Sequence, residues 1–80
     1  MMVLDTIISI VAEQFQMEAD ELTEDTVLSE IGADDLDIAD LVLTLEDTYN
    51  MDVSVDEANA IRTVGDLADL AEEALRQQSE

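Results

Sequence analysis

Apolar residues in this chain recur at intervals of three and four, and they do so in three separate blocks. Leu4, Ile7, Ile8, Val11 and Phe15 make the first block, Ile38, Leu41, Val42, Leu45 and Tyr49 the second. Val64, Leu67, Ala68, Ala71 and Leu75 make the third, widened by Leu70 and Ala74. That spacing follows the helical period and places one apolar stripe on each segment. Proline is absent, only 2 glycines occur, and aromatic residues are 2% of the chain, so strands are disfavoured as well. The blocks predict helices over about 3–17, 35–50 and 64–77. Ser54-Val55-Asp56-Glu57 reads as a capping box, a hydroxyl cap with a carboxylate three residues on, and opens a short helix over about 55–60. Thr63-Val64-Gly65-Asp66 carries the same kind of start signal for the last helix.

Between the first two blocks, residues 18–34 lose the period and fill with acids and threonines around Leu22, Val27, Leu28 and Ile31. This stretch reads as a long ordered loop that ends at Gly32 and is held by those few apolar anchors. The expected architecture is therefore all-α, a bundle of three long helices plus one short helix. With 80 residues it forms a single domain, 1–80, that buries roughly 60% of its unfolded surface and has little stability to spare.

Charge narrows the function. Asp and Glu number 22 against 2 Lys and Arg, a formal net charge of −20, yet 48% of residues are hydrophobic, too many for an acidic disordered tail. Nucleic-acid binding through phosphate and docking on anionic lipid both need clustered cations, so both are excluded. Cysteine and histidine are absent, which removes thiolate chemistry, the commonest general base and the commonest transition-metal ligand. Asp5 interrupts the apolar stretch Met1–Val11, and no basic flank or cleavage site accompanies it, so neither a signal peptide nor a membrane span is read and the cytoplasm is the expected compartment. The acids are unevenly placed: 2 lie in residues 1–17, 15 in 18–57 and 5 in 58–80, while Arg62 and Arg76 both lie in the last stretch. Internal ion pairing cannot neutralise the middle of the chain, so salt, weakly held divalent cations or basic protein partners must do so.

In the middle helix Leu36 and Leu43 fall off the apolar stripe and are surrounded by Asp37, Asp40, Glu46 and Asp47. Such leucines can be ordinary surface, or they can be anchors of a docking face whose acidic rim meets Lys and Arg of a partner. A specific metal site is not expected. A calcium loop starting at Asp35 would find Asp37 and Glu46 in register but Ala39 and Asp40 at a ligand and at the glycine position. Asp34 and Asp35 at a helix start offer no catalytic machinery either, so the chain is not read as an enzyme.

Glu30-Ile31-Gly32-Ala33-Asp34-Asp35-Leu36-Asp37, followed by Leu41-Val42-Leu43-Thr44-Leu45-Glu46-Asp47, resembles the signature of the acyl carrier proteins. Val11-Ala12-Glu13-Gln14-Phe15, Asp56-Glu57-Ala58 and Ile61-Arg62-Thr63-Val64-Gly65-Asp66-Leu67 extend the likeness over nearly the whole chain. The resemblance implies a carrier of fatty-acid or polyketide biosynthesis, monomeric, that docks on synthase enzymes and on a phosphopantetheinyl transferase. It assigns Leu36, Asp37, Asp40, Val42, Leu43, Glu46 and Asp47 to the partner-reading surface, and Val27, Leu41, Leu45, Val53, Ile61 and Leu67 to an acyl-chain cavity or to plain core. Where the family often has proline, this chain has Ser54.

The resemblance breaks at one position. Between Asp34 and Leu36 the family keeps the serine whose hydroxyl receives 4′-phosphopantetheine from coenzyme A; here Asp35 stands. A carboxylate is a poorer nucleophile toward the phosphoryl group, and its product would be a hydrolysable acyl phosphate. The serines of the chain are Ser9, Ser29, Ser54 and Ser79, and none lies beside Leu36-Asp37. No cofactor is expected on the chain as written. Three explanations stand for Asp35: a deliberate Ser→Asp change that locks a carrier unmodified, a natural paralogue that kept the fold and lost the chemistry, and a structural role as the helix N-cap, where Asp ranks with Ser. The alternative to a carrier is a regulatory or protein-interaction module that retains the carrier fold.

Overall fold

The computed structural model describes residues 3–78; Met1, Met2, Ser79 and Glu80, and with them one serine and the start of the apolar N-terminal stretch, lie outside the described residues. Among the described residues there are four α-helices: α1 (Val3–Phe15), α2 (Asp35–Tyr49), α3 (Val55–Asn59) and α4 (Val64–Gln78). Single 3₁₀ turns at Ala19–Glu21 and Leu28–Ile31 punctuate the α1–α2 loop. The architecture is an all-α bundle in which α4 packs against both α1 and α2, and α3 packs on α2.

Local chemistry explains each helix end. α1 stops at Phe15, short of 17, because Gln16 turns left-handed (φ 56°). The Gln16 N–H then reaches the Glu13 carbonyl (3.4 Å) and the Met17 N–H the Ala12 carbonyl (2.9 Å), a Schellman closure that satisfies carbonyls the helix leaves over. α2 ends the same way at Asn50 (φ 52°), with the Met51 N–H donating to the Glu46 carbonyl (3.1 Å). α3 opens on a reciprocal capping box: the Glu57 N–H donates to Ser54 Oγ (3.1 Å) and the Ser54 N–H to Glu57 Oε1 (3.0 Å). Thr63 and Asp66 form the equivalent pair at the start of α4, and Asp66 Oδ2 also takes the Arg62 N–H (2.9 Å).

Ile7, Val11, Leu28, Leu41, Leu45, Val64 and Leu67 are fully buried and form the centre of the core. Each such side chain contributes about 1.5–3 kcal/mol by leaving water. Leu22 and Leu28 pin the long loop to that core, while Val27 and Ile31 are half-buried. The loop is also stitched to the α3–α4 junction through backbone bonds: Leu28 N–H to Arg62 O (2.9 Å), Val64 N–H to Thr26 O (3.0 Å) and Gly65 N–H to Glu24 O (2.8 Å). Glycine is required for the last of these, since a Cβ at residue 65 would lie 2.9 Å from the Glu24 carbonyl oxygen. Gly32, left-handed at φ 93°, closes the second 3₁₀ turn and redirects the chain into α2. The loop thereby holds the start of α2 at a defined place on the bundle.

Candidate functional site

Of the three explanations for Asp35, the structure bears on the N-cap role, because the cap of α2 lies one residue earlier. Asp34 is the N-cap, in extended conformation (φ −106°, ψ −174°). Its Oδ1 accepts the Asp37 N–H (3.0 Å), and Asp37 Oδ2 accepts the Asp34 N–H (3.1 Å). Asp35 is the first residue of the helix itself, exposed, and among the described residues its carboxylate makes no hydrogen bond or ion pair. The N-cap role suggested for Asp35 is therefore filled by Asp34. The reason is geometric: a cap side chain must fold back onto the N–H two or three residues on, and the residue already in helical conformation points outward instead. The Gln14 amide of α1 adds a tether, donating to the Asp37 carbonyl (3.1 Å).

Along α2, Leu36, Asp40, Leu43 and Asp47 follow at intervals of four, three and four and share one exposed line. Leu36 is 77% exposed and Leu43 62%, and Asp40 and Asp47 alternate with them, their carboxylates without a partner among the described residues. The other three residues assigned to the partner surface stand differently. Val42 is only 8% exposed and faces the core, in keeping with its place on the apolar stripe. The Asp37 carboxylate is occupied in the helix cap. Glu46 is half-buried, and its Oε2 accepts the Val53 N–H (2.9 Å), which holds the α2–α3 connection against α2. Those two acids are held by backbone donors, while Asp40 and Asp47 are available to something outside.

Two open grooves flank the helix start. One, of ≈530 Å³, lies between α2 and α3 and is lined by Asp35, Ile38, Val42, Leu43, Ala58 and Ile61 among others. The second, of ≈430 Å³, runs from Asp34 and Asp35 past Val27, Ser29, Ile61 and Arg62. Of the residues assigned to an acyl cavity or core, Val27 and Ile61 line these grooves, Leu41, Leu45 and Leu67 are in the packed centre, and Val53 is half-buried beyond Glu46. Ala58 and Asn59 of α3 form a groove wall that sequence periodicity does not reveal, because it depends on where α3 lands. Among the described residues no three acids converge to hold a metal ion, and no helix is long and apolar enough to cross a membrane.

The helical layout is accompanied by a family match: residues 5–71 match the family described as "Phosphopantetheine attachment site", which makes this a phosphopantetheine-attachment domain by class. The acyl carrier protein of Sulfurovum sp. (strain NBC37-1) is 39% identical over 67 residues, which cover 82% of this chain and 89% of that one. The acyl carrier protein of Chlamydia caviae is 38% identical over 64 residues, covering 79% and 83%. The crystal structure of an acyl carrier protein from Thermotoga maritima superposes with a TM-score of 0.79 at 27% identity, covering 92% of this chain and 87% of that chain. The chain belongs to the acyl carrier protein family, whose members are carriers and not enzymes.

The family's group is phosphopantetheine. At the first turn of α2 the side chain offered to it is a carboxylate, which cannot supply the hydroxyl that a stable phosphodiester needs. Ser54 uses its hydroxyl as a helix cap, Ser9 is on α1, and Ser29 is exposed in the 3₁₀ turn that lines the second groove, outside α2. The residues present at the helix start do not fit covalent attachment.

Proposed function

We propose that this chain is a carrier-type scaffold of fatty-acid or polyketide biosynthesis that works by docking on basic partner enzymes, the synthase enzymes and a phosphopantetheinyl transferase among them. The docking element is the Leu36–Asp40–Leu43–Asp47 line of α2: apolar anchors supply contact area, and the carboxylates steer and orient a Lys- or Arg-bearing surface. The observation that carries this reading is the exposure of two leucines among unpaired acids on one face of a helix whose start is rigidly capped. Position 35 corresponds to the attachment serine, and the chain as written does not accept the arm there. We infer a cytoplasmic monomer, one domain over 1–80, with loosely held divalent cations relieving the acidic repulsion.

The second reading, an interaction module that keeps the carrier fold without belonging to a synthase, is favoured by the carboxylate at position 35 alone. Incubation with coenzyme A and a phosphopantetheinyl transferase, read by intact mass, separates the two. The wild-type chain is expected to keep its mass and Asp35→Ser to gain one arm. A loaded wild-type chain refutes the assignment of position 35, and an unloadable Asp35→Ser chain favours the interaction module.

A further inference from the structure

The ≈530 Å³ groove between α2 and α3 combines an apolar floor with a single charge. Val42 and Ile61 are buried in that floor, and Ile38 and Ala58 are half-buried. Of the residues lining the groove Asp35 alone is charged, and its carboxylate has no hydrogen bond or ion pair among the described residues. Asn59, on the α3 side, leaves its side-chain amide equally unengaged. The partial positive charge of the helix start calls for no further anion, since Asp34, Asp35 and Asp37 already answer it. The volume falls in the range of small-molecule sites, about 300–1,000 Å³. From Asp35 to Val42 the groove follows α2 for about 10 Å at about 1.5 Å per residue, the reach of an octyl chain.

An apolar groove with one unpartnered carboxylate at its end fits a molecule with an aliphatic body and a cationic head. We infer that this groove is a non-covalent site for a primary alkylammonium amphiphile, with the chain on Ile38, Val42, Ala58 and Ile61 and the ammonium on Asp35. An ammonium group has three N–H donors; the Asp35 carboxylate accepts from it with full charge, and the Asn59 amide oxygen offers a second acceptor in the same groove. Burial of the chain supplies the affinity, and the carboxylate supplies the selection. A fatty carboxylate of equal length has the same chain to bury, but it meets Asp35, the neighbouring Asp34 and a net charge of −20, all of its own sign. The site thus takes the charge class opposite to a fatty acid. Such binding needs only the groove and its carboxylate, and it holds whether or not the exposed line of α2 docks on an enzyme.

The test is isothermal titration of the full chain with octylammonium and decylammonium chloride, and with decanoate as the matched anion, at fixed ionic strength and below micelle formation. One decylammonium is expected to bind per chain, with Kd tightening up to about fourfold for each methylene that enters the groove. Decanoate is expected to bind at least about tenfold more weakly. Asp35→Asn keeps the shape and removes the charge, and should weaken decylammonium about fivefold, the upper end for a partly exposed ion pair. Asp5→Asn removes the same charge from the exposed face of α1, away from the groove, and should leave Kd nearly unchanged. Ala39→Leu, at an exposed position on the groove wall, fills space without altering charge and should weaken binding strongly. Amide chemical shifts are expected to move at 38–43 and 58–61. No binding, equal affinity for decanoate, equal losses in Asp5→Asn and Asp35→Asn, no loss in Ala39→Leu, or several molecules per chain with shifts spread over α1 and α4 overturns the inference. Equal losses in the two Asn variants would mark general attraction to an acidic surface.

Discussion

Adjacent aspartates at the start of α2 are expected to differ sharply in what they contribute. Asp34→Ala removes the side chain that accepts the Asp37 N–H at 3.0 Å. Loss of an N-cap costs about 1 kcal/mol, within a range of roughly 0.5–2. The charge it places beside the helix dipole adds about 0.3–1 kcal/mol. Since 1 kcal/mol moves the midpoint of a domain this small by about 4–8 °C, Asp34→Ala should lower Tm by roughly 5–16 °C. Asp35→Ala breaks no hydrogen bond. Its loss of dipole interaction is opposed by the better helix propensity of Ala, so the net change is expected within about 0.5 kcal/mol. Asp34→Asn keeps the cap, because Asn ranks with Asp there, and should give up only the dipole part of about 0.3–1 kcal/mol, clearly less than Asp34→Ala. All three variants remove one negative charge, so relief of self-repulsion is common to them and drops out of the comparison. Thermal melts followed by far-UV circular dichroism at fixed ionic strength, with urea titrations alongside, make the measurement. If Asp35→Ala falls as far as Asp34→Ala, or Asp34→Asn falls with it, the cap assignment is refuted. So is the claim that residue 35 can be changed without disturbing the docking helix.

Leu45, fully buried in the core, is expected to lose about 2–5 kcal/mol on replacement by Ala, a large part of the roughly 4–12 kcal/mol that 80 residues normally hold; urea unfolding at constant slope checks it. Thermal midpoint should rise with NaCl, by screening of a −20 charge, and rise further with Mg²⁺ at equal ionic strength; a midpoint indifferent to both would mean the acids do not strain the fold.

Much of this protein is written locally. The three- and four-residue spacing around Ile7, Leu41 and Leu67 depends only on the helical period, and it marks the long helices before any contact is known. Caps such as Ser54 with Glu57 join residues three apart, so they too are legible in one dimension. The family signature was visible for the same reason, being a contiguous run around the start of α2. Boundaries are where local pattern falls short: α1 ends at Phe15 and not 17, and the cap role open to Asp35 falls to the identical residue beside it, because one-residue precision depends on the backbone angle at the boundary.

Other features depend on how the segments pack. Glu46 and Asp47 are neighbouring acids with no difference in pattern, yet Glu46 is held by the Val53 N–H while Asp47 is exposed to solvent. Gly65 reads as a helix residue until the Glu24 carbonyl arrives 2.9 Å from where its Cβ would be. The grooves beside Asp35 exist because α3 and the stitched loop land on either side of α2. Periodicity and hydrogen-bonding chemistry act over a few residues, so the sequence alone could specify helices, caps, acidity and family. Which acid faces a backbone N–H and which faces solvent is set by how the connections fold back on the helices, and only the folded chain sorts the acids held by backbone donors from those left exposed.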